Sequence, residues 1–98
     1  MNLLHLVMSH CNETIKPMLR NMHVEFAPAA RLNRRQMVGQ IVIQIDALNG
    51  YRSMLLLFQN NVRAVQPRRL RKVAAAVDVY VTSIIADVDT AVKMLQAI

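Results

Sequence analysis

Between Val73 and Ile98, apolar residues return every three or four positions: Val73, Val77, Tyr80, Ile84, Val88, Ala91, Leu95 and Ile98. That spacing puts them on one face of an α-helix. The opposite stripe, Arg71, Ala75, Asp78, Thr82, Ala86, Asp89, Lys93 and Gln96, is polar or small throughout. A strand would need strict alternation, which holds only from Val77 to Thr82 and fails at Ser83-Ile84-Ile85-Ala86. The pattern predicts a helix over 68–98, about 46 Å long. Pro67 stands just before it, where a missing N–H costs nothing.

The middle of the chain reads as two helices, 33–49 and 51–65. Asn33-Arg34-Arg35-Gln36 has the form of a capping box. Val38, Ile41, Ile45 and Leu48 then share a face, and Tyr51, Leu55, Phe58, Val62 and Val65 share another. On one straight helix the two faces would differ by roughly 100°. Asn49-Gly50 is a common helix terminator, so the break is placed there. Asn-Gly between apolar runs is also a β-hairpin signal, and Ile41, Ile43 and Ile45 alternate. Met54-Leu55-Leu56-Leu57-Phe58 does not alternate, and Leu and Met favour helix. Helix is therefore preferred over 40–58, with the hairpin as the competing form.

Residues 1–26 read as a broken helical segment, with Asn12 or Thr14 capping a helix whose first turn admits Pro17. Phe26-Ala27-Pro28-Ala29-Ala30 reads as a connector. The expected fold is all-α, one domain over 1–98. It would be a small helical bundle or a long helical hairpin with one long C-terminal helix.

Composition then points outward. Apolar residues make up 54% and charged residues 18%, against about 45–50% and about 25% in ordinary domains. A folded chain of this size buries about 65% of the surface its unfolded form exposes, so apolar surface should be left over. Such surface in a soluble protein marks a partner interface. A homo-oligomer is expected, with the broad apolar face of 68–98 as its interface: Val77, Tyr80, Ile84, Val88 and Leu95.

The net charge of +6 is local. Arg63, Arg68, Arg69, Arg71 and Lys72 fall within ten residues without an acid, and Arg31, Arg34 and Arg35 form a second cluster. Both clusters lie at expected helix N-termini, where the helix dipole favours anions and disfavours cations. Cations gathered at that end suggest an anion or partner site built from Arg side chains and free N–H groups. Folding back at Gly50 would merge the clusters into one patch. An end-to-end arrangement would hold them near 45 Å apart.

No catalytic constellation stands out. His5, His10, Cys11 and His23 match no zinc spacing. Cys11 and His10 are neighbours, which on a helix point about 100° apart. Only Gly39 and Gly50 are glycines, too few for a phosphate loop. No enzyme activity, metal or cofactor is expected. One cysteine excludes an internal disulfide. The start of the chain lacks a signal-peptide pattern, and Asp46, Arg52, Arg63, Asp78 and Asp87 interrupt every candidate membrane span. A cytoplasmic protein without a membrane role is the expectation. The functional expectation is a non-catalytic assembly protein acting by self-association and by binding a protein partner. The alternative is a small oligomer contacting the DNA or RNA backbone. Phe26, Tyr51, Phe58 and Tyr80 all lie outside the basic clusters, so base stacking is poorly supplied.

Overall fold

The computed structural model describes residues 3–64 and 71–98, with the side chains of 4–62 and 71–98. Pro67, Arg68, Arg69 and the side chain of Arg63 lie outside the described residues. All described residues are helical except the turn at 33–37 and the last two. The fold is all-α, with three long helices: α1 (3–32), α2 (Val38–Ala64) and α3 (Arg71–Gln96). They lie side by side in a rod measuring 52 × 19 × 19 Å.

The N-terminal third is one continuous helical path rather than a broken one. It runs through Leu3–His10, Cys11–Ile15, Lys16–Asn21, Met22–Phe26 and Ala27–Leu32, and the second and fourth stretches are π-helical. The N–H of Lys16 reaches the carbonyl of Cys11, and that of Ala27 reaches the carbonyl of Met22, each five residues back. Pro17 and Pro28 explain both turns. Proline lacks an N–H, and its ring collides with the carbonyl four residues earlier, here Glu13 and Val24. A wider turn just ahead of each proline relieves the clash without ending the helix. The expected connector at 26–30 is therefore helical. The same event recurs after 11 residues, Cys11–Ile15 then Met22–Phe26.

Asn33 caps the end of α1 instead of opening the next helix. Its backbone leaves helical geometry at φ −128°, ψ 43°. Its N–H donates to the Ala29 carbonyl at 3.0 Å, and its side-chain amide donates to the same oxygen at 3.3 Å. The expected capping box is spent in this turn, and α2 starts at Val38.

Helix α2 runs through Asn49-Gly50 without interruption, correcting the break expected there. No described residue adopts positive φ, Gly50 included. The two apolar faces inferred for its halves are two flanks of one wide contact. Arg52 and Gln59 reach α3, while Tyr51 meets His10 of α1 at 5.6 Å between ring centroids. A helix packed against two neighbours buries a broader arc than one packed against a single neighbour. Leu48, Leu55 and Phe58 are buried in that arc.

Helices α2 and α3 are antiparallel. Arg52 pairs with Asp89 and Gln59 with Thr82, so seven residues forward on one are seven back on the other. Helix α1 ascends alongside α3: Asn12 meets Tyr80, while Arg31 and Arg34 share a cleft with Met94 and Ala97. The core runs along α3 through Val77, Val81, Ile84, Val88 and Leu95, with Ile15 and Met22 of α1 and Leu48 and Leu55 of α2. Each fully buried Ile, Leu or Val contributes about 1.5–3 kcal/mol.

Candidate interaction surfaces

The face expected to hold an oligomer is internal. Val77, Ile84, Val88 and Leu95 are buried against the chain's own helices. Tyr80 is half-buried and already engaged: its hydroxyl donates to the Asn12 side-chain oxygen, and Lys16 Nζ lies 4.9 Å from its ring centroid. Val73, the first member of the periodicity, is exposed, while from Val77 onward the periodicity identified the buried helical face. What covers it is α1 and α2, because α1 is long enough to lie along α3 once its prolines are absorbed.

Apolar side chains stay exposed on all three helices: Leu6, Val24 and Leu32 on α1, Val73 and Val79 on α3, and Val38, Val42, Ile43, Met54 and Leu57 on α2, where they line up. Ile43 is 65% exposed and Leu57 62%, and Met54 is also open, as are Ala47 and Gly50 between them. Their spacing of four, three, four and three residues draws a straight, uncharged stripe. A Cβ added at Gly50 would meet nothing within 4 Å. This spacing was readable in the sequence, but the expected break at Gly50 cut it in two. By length and composition alone, Val38–Val62 is long and apolar enough to cross a membrane. Only 17% of its most apolar window is buried inside the chain. Asp46 and Arg52, taken above as interruptions, are too few to fail that test.

The described members of the two basic clusters occupy opposite ends of the rod. Arg31 lies in the last turn of α1, Arg34 and Arg35 in the turn before α2. Arg71 and Lys72 open α3 at the far end, one length of α2 away, about 40 Å. That distance exceeds the Debye length of about 8 Å several-fold, so the clusters act separately. Arg31, Arg34, Arg35, Arg71 and Lys72 are all exposed.

Their electrostatic settings differ. The end holding Arg31, Arg34 and Arg35 is also where α1 and α3 finish, and helix C-termini carry negative partial charge. Arg34 donates from Nη1 to the Ile98 carbonyl at 3.1 Å. Arg31 sits at a helix C-terminus, where cations are favoured, while Arg34 and Arg35 lie between that C-terminus and the N-terminus of α2. Arg71 and Lys72 remain at a helix N-terminus. A groove of about 430 Å³ beside Arg34 and Arg35 is walled mainly by apolar side chains, among them Val38, Ile41, Val42 and Leu95.

Cys11 is fully buried, and burial pushes its thiol above the ordinary value, with nearby Lys16 a smaller opposing influence. His10 Nε2 is buried without a hydrogen-bond partner. Among the described residues, no three His, Cys, Asp or Glu side chains come together to hold a metal. Compared with protein-family models, curated proteins and solved structures, the chain matches none.

Proposed function

We propose that this protein is a non-catalytic helical assembly protein, acting by self-association and protein binding through the outward face of α2. One observation carries this: Ile43, Ala47, Gly50, Met54 and Leu57 form an open, uncharged stripe on a helix whose other side is packed in the core. In this view the three helices are a bundle left open along α2, and water on that stripe is what a partner displaces. Light scattering tests it. The expected mass is a multiple of 11.1 kDa, falling to one chain in Leu57→Asp with helicity retained. A single-chain mass for the unaltered protein at high micromolar concentration would overturn it.

Binding to a nucleic-acid backbone is the second reading, and it draws on Arg71 and Lys72 at the α3 N-terminus. With the clusters held apart, one contact engages one end, and log K should fall only shallowly with log salt. Titrating duplex DNA across a salt series measures that slope. No binding at low salt removes this reading.

A further inference from the structure

We infer that the occupant of the α2 stripe is a second copy of this chain, packed antiparallel about a two-fold axis at Gly50. This rests on the assembly reading above and adds its geometry. A two-fold interface uses the same patch on both copies, so the patch must complement itself. The α2 stripe does so at two pairs of positions, while its Met54, four residues past Gly50, is set against the partner's Asp46, four residues before it. Ile43 and Leu57 stand seven residues on either side of Gly50, and Ala47 and Ser53 stand three on either side. All five are exposed. Reversing one copy about Gly50 sets Ile43 against the partner's Leu57 and Ala47 against the partner's Ser53. The two glycines then meet where the backbones come closest. The open space over Gly50 admits that approach, as small residues do at close helix crossings.

Extent and charge agree. Gly50 lies one residue from the midpoint of Val38–Ala64, so a reversed copy overlaps the whole helix. The stripe from Ile43 to Leu57 is about 21 Å long on a flank 52 × 19 Å across, so the roughly 800 Å² per partner of a standard stable interface takes in the exposed residues flanking the stripe as well. Asp46 is the one acid on α2 and is exposed near the stripe. A parallel, in-register copy would set the two Asp46 carboxylates side by side. The antiparallel copy moves them eight residues apart along the axis, about 12 Å, where repulsion is screened. A bilayer would have to take up the same carboxylate without a counter-charge, which is why a second copy is preferred as the occupant.

Cysteine cross-linking tests orientation apart from association. Cys11 is buried and stays silent under native conditions. Ile43→Cys and Leu57→Cys chains, distinguished by tag length, are mixed and treated with a short bismaleimide. The expected product is the mixed 43–57 species, at least tenfold over either self-linked one. Gly50→Cys alone should link to itself. Dominant self-linking of Ile43→Cys and of Leu57→Cys would show a parallel pair and overturn the geometry while leaving self-association intact. A dimeric mass with no linkage at any of the three positions would overturn the stripe as the interface. Gly50→Leu supplies a second readout. It should leave the melting temperature of the chain unchanged or raised, because glycine is a poor helix residue, yet weaken dimerisation tenfold or more. Unchanged dimerisation in Gly50→Leu would overturn the close crossing. Detergent or lipid vesicles should not change the cross-linking pattern; loss of the 43–57 product on adding vesicles, with the chain recovered on them, would assign the stripe to a membrane instead.

Discussion

The side-chain amide of Gln59 donates to the Thr82 hydroxyl at 2.8 Å and to the Asp78 carbonyl at 3.3 Å. Gln59 is only 5% exposed, the one polar side chain among the described residues classed as buried. A buried amide without partners is costly, so this contact fixes one register of α2 against α3. Gln59→Ala should destabilise the chain by about 1–3 kcal/mol. Thr82→Val should cost less, since Gln59 keeps the Asp78 carbonyl. Urea unfolding of both variants checks the order.

Arg52 Nε and Asp89 Oδ1 lie 2.6 Å apart, with the two side chains 40% and 41% exposed. Solvent screens such a pair, and exposed ion pairs contribute about 0–1 kcal/mol. A double-mutant cycle with Arg52→Ala and Asp89→Ala should give a coupling below about 1 kcal/mol that shrinks in 1 M salt. A coupling insensitive to salt would show that the pair is more buried in solution than its exposure implies.

Ile84 and Val88 are buried in the core between α3 and its neighbours. Ile84→Ala should cost about 2–5 kcal/mol. Val88→Asp should abolish cooperative melting, because it buries a charge with no partner. Circular dichroism separates this from an interface defect, in which helicity survives and only mass changes.

The Cys11 thiol titrates above its ordinary value in the folded chain because it is buried. The unfolded chain therefore loses this proton first. Cys11 should leave stability unaffected below about pH 8.5, then lower it as pH rises further. Comparing wild type with Cys11→Ala between pH 7 and 10 isolates the contribution. Native Cys11 should also react with a thiol reagent at least tenfold more slowly than the denatured chain.

Much of α3 was legible in the sequence, because a helix with one buried face writes a single 3.6-residue period. Val77, Ile84, Val88, Ala91 and Leu95 are all buried. The partner of that face was not legible, since one helix's pattern does not say which surface covers it. Helix α2 was misread at Gly50 because contact with two neighbours smears its period, and because Asn-Gly terminates a helix only when the chain beyond it has no packing to keep. Helix α1 was misread at Pro17 and Pro28, whose usual effect is to break or kink. Separation of the two arginine clusters followed from the continuity of α2, which local sequence did not reveal.

The π-helical turns ahead of Pro17 and Pro28 make α1 sensitive to counting. A turn closed five residues back holds one residue more than an α-helical turn, equivalent to about 100° of rotation. Two such steps separate Leu4 from Ala30, both of which lie against the core. Deleting one residue from 11–15 while replacing Pro17 with alanine would restore ordinary winding locally and keep downstream contacts in phase. Deleting a residue elsewhere in α1 would swing every side chain before it away from α3. Length changes in this helix are thus tolerated at two gear teeth and nowhere between them.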